Sequence, residues 1–193
     1  MKNKMKVSTK TGDSGTTGLY SGERVSKTDP CIDCIGSLDE LISSMGLARS
    51  LDANTERAGF IKKLQQLIFV VSAEVATLGG KKSRLKDLIS GEHIADVERT
   101  ILHLETSYDF FSDWYIPGTS NLAANYDFAR TICRRAERSL VLVNTTHTIR
   151  KETLCFINRL SDLLWLYSRQ VEHDASLQEE SRLRTSKKEN LLS

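Results

Sequence analysis

At 193 residues, with 27 Lys and Arg against 25 Asp and Glu and a formal charge of +2, the chain suits one compact domain, and a second is not expected. Near-balanced charge spread along the chain argues against a dominant field for nucleic acid or membrane, so any anion site must be local. No apolar run approaches the roughly 20 residues that span a bilayer, and Met1 to Lys6 lacks the apolar core of a secretory signal, so a cytoplasmic location is expected.

The first segment, residues 1–28, carries Thr9-Lys10-Thr11-Gly12-Asp13-Ser14-Gly15-Thr16-Thr17-Gly18, a glycine- and hydroxyl-rich stretch beside one lysine. Gly12, Gly15 and Gly18 let successive amides turn toward an anion, with Lys10 and the threonine hydroxyls adding charge and donors. It is not a Walker A loop, because no Lys-Ser or Lys-Thr follows the required spacer. Taken alone, the same composition also suits an unstructured arm.

Only Pro30 and Pro117 interrupt the sequence, and the glycines crowd near the start, so residues 29–172 read as an all-α bundle. The first helix is predicted from Asp29 as N-cap and Pro30 as first helical residue to about Leu51. The second runs from about Thr55 through Ile61, Leu64, Ile68, Val71 and Val75 until Gly79-Gly80 stops it. Ile94, Val97, Ile101 and Leu104 mark a third that follows Ser90 and fades near Phe111, before the aromatic break Trp114-Tyr115-Ile116-Pro117. Ser120 caps a fourth reaching Val143, and a fifth is predicted from about Thr148 to Val171. Beyond it, residues 173–193 read as a polar, mobile tail.

On the fourth helix, Ala129, Ile132, Cys133, Ala136, Leu140 and Val143 share one arc, while Arg130, Arg134, Glu137 and Arg138 share the opposite one. That charged arc is either a solvated face or a polyanion contact for the amino-terminal loop. On the fifth, Asn158 and Asp162 lie one turn apart, opposite Ile157, Leu160 and Leu164, and flank Trp165 and Arg169, a polar side that is either that of an ordinary amphipathic helix or one buried in a site or subunit contact. The four cysteines are read as reduced thiols, and Cys31-Ile32-Asp33-Cys34 as a structural pair, since no second pair completes a zinc site. His93, His103, His147 and His173 form no pattern with Ser, Cys or carboxylates, so no protein nucleophile and base suggest themselves. A bound reactant that supplies its own reactive atom fits this pattern better.

In motif order the chain resembles the PduO-type ATP:cob(I)alamin adenosyltransferases, from Val7 to about Arg169. The resemblance rests on Thr9 to Asp13 with Gly15-Thr16-Thr17, Gly22 to Lys27, Gly36 to Leu41, Ala129 to Arg138, and Asn158 to Asp162. It implies a five-helix bundle with a glycine-rich loop, assembled as a homotrimer with sites between subunits. It implies transfer of the 5′-deoxyadenosyl group of ATP to cobalt, with triphosphate leaving and Mg²⁺ assisting. Thr9, Lys10, Thr11, Gly12, Thr17, Gly18 and Lys27 would wrap the nucleotide. Arg134, Arg135, Ala136, Glu137, Arg138 and Asn158 would complete the ATP site, with Lys10, Arg134 and Arg138 as the catalytic charges.

On the corrinoid side, the resemblance implies that Asp39 and Arg130 pair across the subunit interface and that Trp114, commonly Phe in the family, lines the lower face of the corrin. A reductase that supplies Co(I) and an enzyme that consumes adenosylcobalamin are the implied partners. Thr119, where the family continues Pro-Gly-Gly, and Asp127, where it has His, depart from the pattern on that side. Asp127 stands one turn before Arg130 and is placed to compete with Asp39 for it. These departures also suit a second class of function, a non-catalytic bundle that binds ATP or adenosylcobalamin as a carrier or sensor.

Overall fold

The computed structural model describes residues 8, 10–20, 22–78, 85–110 and 115–190, with side chains as far as 177. Its order is β1 (Thr16–Gly18), β2 (Arg24–Ser26), α1 (Pro30–Leu51), α2 (Thr55–Val75), α3 (Gly91–Ser107), α4 (Asn121–Val143) and α5 (Lys151–Asn190). The fold is mostly helical, as expected, but not purely so.

The correction lies in the amino-terminal segment, part of which is a small antiparallel sheet. Thr16 pairs with Ser26, Thr17 with Val25 and Gly18 with Arg24. Gly15 enters the hairpin at φ +79 and Gly22 leaves its turn at φ +86, conformations that side chains resist. The turn closes with the Gly22 N–H donating to the Leu19 carbonyl at 2.9 Å.

Local chemistry explains where the helices begin. Asp29 accepts from the Cys31 N–H at 2.8 Å with Pro30 behind it, so α1 starts where an orphan donor is satisfied and φ is preset. Ser90 and His93 cap α3 reciprocally, and Ser120 caps α4 through the Ala123 N–H at 3.2 Å. The predicted limits of α1 and α4 coincide with the observed ones, and α3 stops at Ser107, short of Phe111. The fifth helix does not end at Val171: α5 continues to Asn190, 40 residues or about 60 Å in all.

Side-chain pairs fix the packing order. Asp33 meets Ser139 while Glu40 meets Arg135, so α1 and α4 run antiparallel. Cys133 meets Ile157 and Asp127 meets Arg169, so α4 and α5 do as well. Glu98 meets Arg159 and Tyr108 meets Gln170, which sets α3 alongside α5 in the same direction. Leu38, Leu41, Met45, Ile61, Leu64, Ile68, Phe156, Leu160 and Leu164 fill the interior. Each such aliphatic or aromatic side chain contributes roughly 1.5–3 kcal/mol by leaving water.

This order puts the start of α1, the end of α4 and the start of α5 at one end of the bundle. The hairpin joins there through Thr28 and Asp29.

Candidate functional site

The hairpin is fastened by Arg24, whose guanidinium donates to the Thr11 carbonyl at 2.7 Å and to the Thr16 hydroxyl at 2.6 Å. Gly12 lies against Lys27: a Cβ there would stand 3.2 Å from the Lys27 Nζ and 3.5 Å from the Thr16 carbonyl. Bare backbone at Gly12 therefore lets the ammonium sit against the loop. Lys10 has φ 58, a left-handed conformation that a lysine adopts at a cost. Lys10, Thr11, Lys27 and Gly18 are exposed, and Thr17 is half-buried. Thr9 lies outside the described residues.

Arg134, Glu137, Asn158 and Asp162 come together on the seam of α4 and α5. The Asn158 amide donates to the Glu137 carboxylate at 2.9 Å. Its oxygen accepts from Arg159 at 2.7 Å, and Arg159 in turn reaches Glu98 at 3.0 Å and Asp162 at 4.0 Å. Desolvation raises the Asp162 pKa, opposed by Arg159, reinforced by Glu137 and opposed again by Arg134. The seam thus holds three carboxylates and two guanidiniums around one amide, while Arg134 stays exposed.

Arg135 and Arg138 are exposed, with Arg135 paired to Glu40 of α1, and they stand toward the hairpin end. Ala136, expected at the ATP site, is wholly buried in the middle of α4 and packs in the core, so it presents no surface to a ligand. Asp39 is exposed on α1. Arg130 does pair with Asp127, at 3.3 Å, and Trp114 lies outside the described residues.

Several residues of consequence escaped the sequence reading. Arg169, assigned there to the polar face of the fifth helix, is buried: its guanidinium meets Asp127 at 2.5 Å and pairs with Glu172. Asp52 accepts a two-pronged contact from Arg57 at 2.6 and 2.8 Å and a third bond from the Tyr126 hydroxyl at 2.6 Å. Burial alone would raise the Asp52 pKa, but Arg57, Tyr126 and the Asn54 N–H together hold it below the usual carboxylate value. A cavity of about 490 Å³ opens between α2, α3 and α5, lined by Arg57, Phe60, His103 and Tyr167 among others. None of the residues singled out for ATP or corrinoid lines it.

The cysteines are free thiols, as expected, and three are buried. Burial, with Asp29 adding to it, pushes Cys31 up to about 11, and burial with Cys31 and Asp33 pushes Cys34 up to about 12. Burial also pushes Cys133 up, with Glu137 and Asp162 adding to the effect. Native protein treated with iodoacetamide at pH 8 is expected to be alkylated only at the half-buried Cys155. Rapid labelling of Cys31 or Cys34, read by mass spectrometry, would contradict this.

Fold and site together define a helical bundle whose seam of acidic and basic side chains lies toward the same end as a glycine-bearing hairpin. The chain belongs to the cobalamin adenosyltransferase family, whose model matches residues 7–171. It is 37% identical over 171 residues to the corrinoid adenosyltransferase PduO of Citrobacter freundii, covering 89% of this chain and 51% of that one. The chain therefore spans about half the length of that relative. A second corrinoid adenosyltransferase of Citrobacter freundii is 35% identical over 164 residues, covering 85% of this chain and 93% of that one. The fold superposes with a TM-score of 0.81 on a phenylalanine-to-histidine variant of the PduO-type ATP:corrinoid adenosyltransferase from Lactobacillus reuteri, complexed with cobalamin and ATP. That pair shares 30% sequence identity over 87% of this chain and 91% of the other.

Proposed function

We propose that this chain transfers the 5′-deoxyadenosyl group of ATP to the cobalt of cob(I)alamin, forming adenosylcobalamin and releasing triphosphate. The observation that carries the reading is the meeting of Arg134, Glu137, Asn158 and Asp162 on one seam, at the hairpin end of the bundle. Family membership supplies the reaction class.

Co(I) brings its own electron pair, so the protein needs no Ser, Cys or His nucleophile. Its cobalt bonds to C5′ as the bond from C5′ to the triphosphate oxygen breaks. The electron pair leaves with triphosphate, and cobalt rises formally to Co(III). What remains for the protein is in-line placement of C5′ and stabilisation of the charge building on the leaving group.

In this reading Thr9 to Gly12, Thr17, Gly18 and Lys27 form a glycine-rich nucleotide cradle. Arg135, Glu137 and Asn158 fix the nucleotide, and the buried Ala136 seats α4 in the core beneath them. Lys10, Arg134 and Arg138 carry the developing charge. Mg²⁺ would enter on the ATP phosphates, the usual way for this cation, with Glu137 and Asp162 as carboxylates on the same seam. Asp39, Arg130 and Trp114 take the corrinoid side. The exposed Leu47 and Leu51 of α1 and Phe128 and Leu142 of α4 support assembly into a homotrimer through these helices.

No helix among the described residues is long and apolar enough to cross a membrane. A cytoplasmic enzyme supplied with Co(I) by a reductase, and handing product to an adenosylcobalamin-dependent enzyme, completes the proposal. Phosphorus NMR of a turnover mixture tests it: triphosphate accumulating in step with adenosylcobalamin is expected. Release of ADP or of orthophosphate alone would overturn it.

A further inference from the structure

Arg169 is an arginine in a helix core, with 1% of its side chain exposed. Its guanidinium has neighbours on α4, on α5 itself and in the segment that precedes α4. One nitrogen meets the Asp127 carboxylate of α4 at 2.5 Å, and another pairs with Glu172 one turn along α5. Nε and one terminal nitrogen reach the Ser168 hydroxyl at 3.2 and 3.1 Å. Its flat face lies 4.5 Å from the centroid of the Tyr115 ring and 6.0 Å from that of Trp165. The other oxygen of Asp127 accepts from Arg130 at 3.3 Å.

Two positive and two negative groups thus neutralise one another, which is how a buried arginine is tolerated. The arrangement does more than cancel charge. A planar fork can hold two carboxylates in its plane and an aromatic ring on its face, and a lysine cannot do both. Tyr115 has no other anchoring ring contact among the described residues than Trp165, at 6.4 Å and edge-on.

We propose that Arg169 is a positioning residue for the corrinoid side of the site, holding Tyr115, in the segment before α4, through its ring and Arg130 through Asp127. The inference rests on the proposed adenosyltransferase reading, in which Arg130 meets the corrinoid. The asymmetry it predicts is specific: corrinoid binding depends on this cluster, whereas ATP binding, assigned to the hairpin and to Arg134 and Asn158, does not. A loop or guanidinium misplaced by a fraction of an ångström weakens one substrate only.

The test compares Tyr115→Leu, Tyr115→Phe and Arg169→Lys in the full chain. Tyr115 is partly exposed, so its variants keep the ion pairs and the fold even where Arg169→Lys does not. Each is measured for the KM of cob(I)alamin and of ATP, and for the Kd of cob(II)alamin with ATP present, followed by absorbance. For Tyr115→Leu and Arg169→Lys the corrinoid KM and Kd are expected to rise about tenfold with the ATP KM nearly constant, while Tyr115→Phe behaves as wild type. Unchanged cob(II)alamin affinity in Tyr115→Leu, or equal loss of ATP and corrinoid affinity, would overturn the inference while an active wild type leaves the adenosyltransferase reading standing. A wild type that neither turns over nor binds cob(II)alamin overturns both.

Discussion

Replacing Arg134 by Ala is expected to lower kcat by about 10² to 10³-fold with the fold intact, the loss seen when one preorganised charge donor is removed from a transition state. Arg134 is exposed on α4, one turn from Arg130 and on the seam with Glu137, Asn158 and Asp162. Among the described residues, it acts on its own chain by opposing the raised proton affinities of Asp162 and Cys133. Removing it therefore leaves the core untouched, and stability should change by no more than about 0.5 kcal/mol. Steady-state kinetics beside a melting curve read both numbers. Full activity in the variant would remove Arg134 from the machinery, and a large drop in Tm would mean that it is structural.

The second large effect concerns stability. Asp52 has a fully buried side chain, and it takes two bonds from Arg57 and one from Tyr126, tying the loop between α1 and α2 to α4. Asp52→Ala leaves the Arg57 charge, 8% exposed, with only the distant Asp174 carboxylate at 3.9 Å among the described residues. Breaking such a pair from one side costs about 3–5 kcal/mol, or a fall of about 10 °C in Tm for a chain of this length.

The same pair predicts an acid limb. Because the folded pKa of Asp52 is lowered, its contribution is complete above the unfolded value of about 3.9 and disappears as pH falls through the folded value. Urea titrations between pH 2.5 and 7 should show wild type losing more stability on acidification than Asp52→Asn. Parallel curves would contradict the assignment.

Much of this architecture is legible in the chain because capping residues and apolar spacing agree. Asp29-Pro30 and Ser120 each combine a cap with an apolar stripe, and α1 and α4 begin where those signals stand. The hairpin was hidden because its strands are three residues long and contain glycine, too short for alternation to register. The extension of α5 was hidden for a different reason. Residues 173–190 lack an apolar stripe, yet they are rich in Glu, Lys, Arg and Leu, which favour helix without any packing face.

The charged seam was readable as two polar arcs, since Arg134, Glu137, Asn158 and Asp162 have helical spacing. Their mutual contact was not, because spacing within a helix says nothing of which neighbour it meets. Arg169 shows the limit most clearly. Its position opposite Leu160 and Leu164 marks an exposed face only if one side of α5 is free, and α5 is flanked by α3 and α4 and touched by α2. A single apolar stripe understates how much of a central helix is buried. Asp127, where the family has a different residue, was read only as a partner for Arg130, and its second oxygen goes to Arg169.

The central claim is that the seam and the hairpin serve adenosyl transfer to cobalt. Purified protein mixed anaerobically with chemically reduced cob(I)alamin and MgATP should convert the Co(I) spectrum to that of adenosylcobalamin over many turnovers. Tight binding of ATP and corrinoid with no spectral conversion would contradict the claim and select the carrier or sensor instead.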